Sequence, residues 1–505
     1  MNNLLTAVDP ADSACVPPDK TATNPIVGGS LMSAVWEMSW PLLTTYLLSS
    51  LIGLSDTYIS GFISDSAQAA VGIGEQAIFL TIILGTGLSV GTVACVARSI
   101  GSGDLELARQ YARDSLLISL VVGLLASLAG VLAAKPVFSL LAVDPQVSAH
   151  GIRYLEVCAL ANLPFVVAMC QSAIFRALGK PCYALYLWIV ISSLSIALNF
   201  ALFFGLLPWG KGSVDALSLS WLTGCTGGVV AGAVWLQRLW SAQTEQRSNL
   251  RDRQISFVRM RELLSIGGPA LIADAVWIIS NFLTYKIFAG MLHAAQVQAA
   301  WSIAHKVEET CASMPLLALS LAAATIVGQN LGAGQKGRAQ RAGWLMAMAA
   351  LAAMVGIGGL LFAVSEPIAK MLSADKLVQE YTTLLLRLAP LTVPCLALWL
   401  VLFGALEGAG CTWTPMVSNV TVLVVVRLPL YWLVALPLGL GLSGLVAPFC
   451  LSRALLAAIA VYEYSRGAWL LGSPSPCCPS PLISVCWRFL GRASLSLKLR
   501  RCQNS

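Results

Sequence analysis

Asp56 is the residue best placed to do chemistry. It lies in the stretch Pro41 to Gly61, PLLTTYLLSSLIGLSDTYISG, which otherwise reads as a membrane-spanning helix. A carboxylate inside such a helix costs roughly 2.5–3.5 kcal/mol at the bilayer centre, and is kept where it faces a cavity, a partner or a passing ion. The chemistry it offers is reversible capture of a proton or another cation. Asp56 sits past the middle of the span, so the expected site is in the outer half, reached by water. The competing reading is a helix-end acid that snorkels into the interface.

Asp274 is a second acid of this kind, close to the middle of a later apolar run and with no Lys or Arg within a turn. Trp277, three residues on, shares its helix face. Together they offer charge and aromatic surface to an organic cation, which proton entry at Asp274 would release. Phe282 is a further candidate for a cation–π contact, although membrane aromatics also serve as packing or interfacial anchors. In AHKVEETC, Lys306 and Glu309 stand at i, i+3 spacing, which reads either as a self-neutralised helix end or, with Glu308, as a ligand site. Glu75 holds the position in the first half of the chain that corresponds to Lys306. A Glu75–Lys306 contact would close an outer gate. Arg427 and Arg453 lie inside apolar runs and are expected to pair structurally with carboxylates of other helices. Glu407 reads as a loop charge.

Enzyme chemistry is not expected. The three His residues are far apart and the fourteen Cys contain no CxxC pair, so neither a metal site nor a disulfide framework is indicated. No cofactor is called for beyond a coupling ion, H+ or Na+.

The elements that must carry these residues follow from composition. The chain is 57% apolar and 11% charged, with a mean hydropathy of +0.78, values of a polytopic membrane protein. The net charge of +7 is spread over short loops and a tail, which suits orientation in a bilayer and not nucleic-acid binding. The polar first thirty residues lack the pattern of a cleaved signal peptide.

Apolar runs of about 20 residues predict twelve helices, near 34–58, 77–97, 115–134, 157–175, 183–206, 216–236, 263–285, 303–328, 342–364, 388–406, 416–437 and 442–462. Loops after even-numbered helices hold fourteen Lys and Arg against about eight on the other side, so both termini are expected to be cytoplasmic. The organisation read from this is a polar N-terminus (1–30), an N-lobe of six helices (31–240), a cytoplasmic linker (241–262), a C-lobe of six helices (263–466) and a Pro- and Cys-rich basic tail (467–505).

The halves repeat one another. Pro41 corresponds to Pro269, VARSIGSGD (Val96 to Asp104) to VGQNLGAGQ (Val327 to Gln335), and RALGKP (Arg176 to Pro181) to ALEGAGCTWTP (Ala405 to Pro415). An offset near 230 residues recurs, as duplication produces. Six helices per half make this a parallel repeat about an axis along the membrane normal. The fold expected is all-α and integral to the membrane, with twelve transmembrane helices in two lobes around a central cleft.

From about Ser30 to Arg466 the chain resembles the multidrug and toxic compound extrusion (MATE) family of efflux transporters. The residues that carry the resemblance are SDTYISG, AAVGIGEQ (Ala69 to Gln76), GSGD, YLEVCALANLPF (Tyr154 to Phe165), MPLLALSLAAATIVGQNLGAGQ (Met314 to Gln335), LEGAG (Leu406 to Gly410) and VRLPLYWL (Val426 to Leu433). The resemblance implies antiport of amphipathic, often cationic, organic compounds against H+ or Na+ across the cell membrane. It also implies an ion-coupling role for Asp56 with Asn199 beside it, as in the DinF-like subgroup. Three positions depart from known patterns. Leu202 stands where DinF-like members have Asp, Trp277 where NorM-like members have Glu, and LALWLVLFG lacks the helix-ten acid of NorM-like members. The subgroup is left open between the two. The alternative function is a lipid or lipid-linked oligosaccharide flippase of the same superfamily, which would need several basic residues in its cleft; only Arg427 and Arg453 are available. The expected partners are small organic substrates and membrane lipid, including an anionic leaflet under the basic tail segment Trp487 to Arg501.

Overall fold

A computed structural model describes residues 24–141, 145–205, 214–242, 255–435 and 441–471. Most of the N-terminus, most of the linker and nearly all of the basic tail lie outside these residues. Among the described residues the regular structure is helical: α1 (Pro25–Gly28), α2 (Leu31–Ile63), α3 (Asp65–Gly101), α4 (Leu105–Leu141), α5 (Pro145–Ala177), α6 (Pro181–Phe203), α7 (Val214–Ala242), α8 (Phe257–Phe288), α9 (Ala294–Glu308), α10 (Met314–Gly332), α11 (Lys336–Ala363), α12 (Ser365–Leu372), α13 (Lys376–Leu386), α14 (Ala389–Gly408), α15 (Trp413–Asn419), α16 (Leu428–Ala435) and α17 (Gly441–Arg466). Two π-helical stretches, Glu309–Ser313 and Val420–Arg427, join α9 to α10 and α15 to α16.

Among the described residues eleven helical runs are long and apolar enough to cross a membrane. The 33-residue α2, which carries Asp56, is the twelfth long helix; Glu37 and a series of Ser and Thr lower its apolarity. Thr44, Thr45, Ser49 and Ser50 each return a hydrogen bond to the carbonyl four residues earlier, which satisfies these hydroxyls without a partner helix. The eighth span begins earlier than the apolar run suggests, at Ala294 instead of about residue 303. Its first turns, AAQVQ, are too polar to register as a membrane segment. Two short amphipathic helices, α12 and α13, occupy the connection between the ninth and tenth spans. Asp375 caps α13 by accepting from the Leu377 and Val378 amides.

The chain divides into two compact units, one of Trp36–Ile100 and Asp104–Leu271, the other of Met1–Val35, Gly101–Gly103 and Ile272–Ser505. The boundary falls within α8. In the first unit, α4 turns Leu120, Leu124, Leu128 and Leu132 outward, 46–68% exposed, a stripe at i, i+4 spacing that suits contact with lipid. The Gly clusters do close-packing work, as small residues do between membrane helices. Gly224 and Gly228 of α7 meet Ile191 of α6, and a Cβ on Gly91 of α3 would collide with the Leu263 carbonyl of α8.

The start of α8, within the segment expected as linker, is an ordered helix tied to α4. Arg259 Nε donates to Asp114 Oδ2 at 2.7 Å, Arg113 lies 3.6 Å from Asp114 Oδ1, and the Tyr111 hydroxyl donates to Glu262 Oε2 at 2.5 Å. The Asp114 side chain is fully buried, so its charge has to be matched locally.

The second unit is held by α10, α11, α14 and α17. A Cβ on Gly408 of α14 would strike the Ala324 backbone of α10. Gly408→Val is therefore expected to lower the thermal unfolding midpoint in detergent by several degrees or prevent accumulation, whereas Gly356→Val, where a Cβ meets open space, leaves the midpoint near wild type.

The sequence repeat has a structural counterpart in four helix ends. Gly103 and Gly334 adopt φ of 77° and 73°, and Gly179 and Gly410 adopt 71° and 78°. The offsets, 334 − 103 and 410 − 179, are both 231 residues. Each glycine closes the same turn, with Asp104 N bonded to Ser99 O, Gln335 N to Asn330 O, Lys180 N to Phe175 O, and Cys411 N to Leu406 O at 2.9–3.0 Å. Left-handed φ is the conformation glycine supplies at helix C-termini without a Cβ penalty. Among the described residues eight cysteines are free thiols and Cys411 is disulfide-bonded.

Candidate functional site

In the first unit three helices converge on Asp56. α2 brings Ser55 and Asp56, α6 brings Asn199, and α7 brings Ser220. Asp56 is 8% exposed and Asn199 1%. The Asn199 amide donates from Nδ2 to Asp56 Oδ1 at 2.5 Å, and reaches Ser55 Oγ at 3.5 Å. Its own Oδ1 accepts from the Ser220 hydroxyl. The carboxylate itself fixes which end of the amide faces it, since an ionised carboxylate only accepts and so draws Nδ2. A neutral donor held in place beside a buried acid stabilises its ionised form, and a buried acid of this kind can gain and lose a proton or cation. The structure thus brings together Asp56 and Asn199, and adds Ser55 and Ser220, which sequence reading missed. A hydroxyl at 220 in SLSLSW carries no signal of its own, because Ser in a membrane helix commonly bonds its own backbone.

In the second unit the other candidates separate. Asp274 is half-buried on α8 and lies within electrostatic range of Glu407. Glu407 stands in the last turn of α14, partly buried, and is not the loop charge expected. Trp277, one turn beyond Asp274, faces a cavity that it shares with Trp301, Trp399, Phe449, Arg427 and Arg453. The Trp277 ring lies 6.2 Å from that of His305. Phe282 is 60% exposed and does not line this cavity. Lys306 and Glu309 pair with each other at 3.1 Å, the local pairing that their spacing allows. The Glu75 side chain lies outside the described residues. Among the described residues no group of three or more His, Cys, Asp or Glu could hold a metal ion.

The arginines take different partners. Arg453 pairs with Glu308 at 2.7 Å, as expected of a structural pair. Among the described residues Arg427 has no carboxylate partner; its Nη2 donates to Ser280 Oγ at 2.7 Å and to Asn281 Oδ1 at 3.1 Å.

Comparison with known proteins gives this arrangement a context. Residues 41–201 and 269–433 match the MatE family, one match in each half of the repeat. A probable multidrug resistance protein NorM of Thermotoga maritima is 24% identical over 81% of this chain and 86% of its own length. The multidrug resistance protein PmpM of Pseudomonas aeruginosa is 26% identical over 80% and 82%, and an FAD transporter of Shewanella oneidensis is 24% identical over 78% and 86%. Among solved structures, a MOP-superfamily transporter from Pyrococcus furiosus, described as having a binding pocket of reverse polarity, superposes with a TM-score of 0.80 at 19% identity, covering 89% of this chain and 98% of that one. A MATE protein in its straight conformation gives 0.78 at 20% identity, covering 89% and 99%. Fold and matches together define a multi-pass membrane transporter, not an enzyme. The chain belongs to the MatE family of multidrug efflux transporters, with the family's twelve-helix fold.

Proposed function

We propose that the protein is a secondary active exporter that antiports amphipathic organic compounds, cations among them, against H+ or Na+ by alternating access. The observation that carries this reading is the buried Asp56–Asn199–Ser220 chain, which holds an acid inside a membrane helix, where such groups commonly serve ion exchange. Binding of that ion and of substrate must be coupled reciprocally for exchange to occur. The multidrug resistance relatives support the substrate breadth. Asp274, with Trp277 and Phe282 on the same helix, is proposed as a second cation-responsive position. Lys306 and Glu309, with Glu75, are proposed for the outer gate. We place the protein in the cell membrane with both termini cytoplasmic, and its lobes at 31–240 and 263–466.

The test uses protein reconstituted in sealed vesicles. An imposed H+ or Na+ gradient is expected to drive rhodamine 6G against its own gradient, and one of the two ions should suffice. Failure of both ions, with flux merely following the dye gradient, would overturn the reading.

A further inference from the structure

We infer that the aromatic cavity of the second unit is a binding site for an aromatic organic anion, with Arg427 as its principal anchor. The inference rests on the export reading and names a substrate class that the protein would accept in addition to cations.

The charge balance points this way. Arg427 is 5% exposed and Arg453 9%, both line one cavity, and their guanidinium groups lie within electrostatic range of each other. Glu308 matches Arg453 alone. Among the described residues Arg427 meets only neutral side chains, the Ser280 hydroxyl, the Asn281 carbonyl and the Tyr431 ring at 5.8 Å. Arg427 Nε and Arg453 Nη1 are buried without hydrogen-bond partners. Unpaired buried charge and unmet donors are both costly, and an anion bridging the two arginines would relieve both at once. A cation would meet two like charges against one opposite charge.

The walls specify the rest of the ligand. Trp277, Trp301, Trp399 and Phe449 surround the cavity. A compact ring system bearing a carboxylate, sulfonate or phosphate fits both the charge and the surface. The backbone is specialised here as well. Arg427 closes the π-helical stretch Val420–Arg427, and Glu308 immediately precedes the stretch Glu309–Ser313. Such widened turns occur often at functional sites, where they redirect side chains.

Two xanthene dyes of opposite charge test the assignment on the purified full-length protein: fluorescein, an anion near neutral pH, and rhodamine 6G, a cation. Binding is read by fluorescence anisotropy. Wild-type protein is expected to bind fluorescein more tightly than rhodamine 6G. Arg427→Gln should weaken fluorescein roughly tenfold or more and leave rhodamine 6G unchanged or tighter. Arg427→Lys, which keeps the charge, should retain most of the fluorescein affinity. A wild-type preference for rhodamine 6G overturns the inference even if Arg427→Gln fails to fold. So does an equal loss of both dyes, or no loss, in a folded Arg427→Gln protein. Vesicle transport of rhodamine 6G separates the two proposals. Gradient-driven transport without Arg427-dependent anion binding refutes the site and keeps the export reading; anion binding through Arg427 without any driven transport does the reverse.

Discussion

Asp56→Asn protein is expected to insert, fold and bind substrate, yet to carry out no gradient-driven efflux. The substitution keeps the shape of the side chain and leaves an oxygen to accept the Asn199 amide hydrogen, so the 2.5 Å contact survives as a neutral bond. The stability cost should be about 1 kcal/mol, the difference between a charge-assisted and a neutral hydrogen bond. What disappears is the capacity to gain and lose a cation. Efflux in vesicles with an imposed gradient should fall to the level of empty vesicles, with the thermal midpoint within a few degrees of wild type. Driven efflux at the wild-type rate would mean that the coupling ion binds elsewhere, and Asp274 would then be the acid to test.

Breaking the Asp114–Arg259 pair should have the largest effect on stability. Asp114→Asn removes the buried charge that Arg259 and Arg113 face at 2.7 and 3.6 Å. Loss of one member of a fully buried pair typically costs about 3–5 kcal/mol, and a part-buried pair such as this one less. The single variant should accumulate poorly and unfold at a markedly lower temperature. Asp114→Asn combined with Arg259→Gln should recover part of the loss, since the partly buried charge that faced Asp114 is then gone as well. A single variant that unfolds with wild-type protein would show that water, not Arg259, satisfies Asp114.

Much of the fold was legible because the bilayer imposes it. Spans show as uninterrupted apolar length, and the repeat shows because four helix ends need a glycine with left-handed φ at the same offset. Asp56 was legible as a cost in an apolar helix, and Asn199 through the family resemblance. The rest depends on which helices become neighbours. Nothing in the sequence near Arg427 says that Ser280 and Asn281 will face it. The Arg-rich segment before residue 262 reads as a charged linker, because the buried Asp114 that recruits Arg259 lies 145 positions away. Glu407 reads as a loop residue because polarity near a glycine-rich helix end is the usual mark of solvent, whereas α14 continues through it.

The π-helical stretches carry a consequence for how the gene can vary. Removing one codon from an ordinary membrane helix turns every later side chain by about 100°, moving lipid-facing residues into the protein and the reverse. A π turn holds one residue more than an α turn. In Val420–Arg427 and Glu309–Ser313 the surplus can be given up with the flanking faces kept in phase. These two stretches are thus places where a codon can be lost without scrambling a whole span, and length variation among descendants of this chain has room to accumulate beside its arginine cavity.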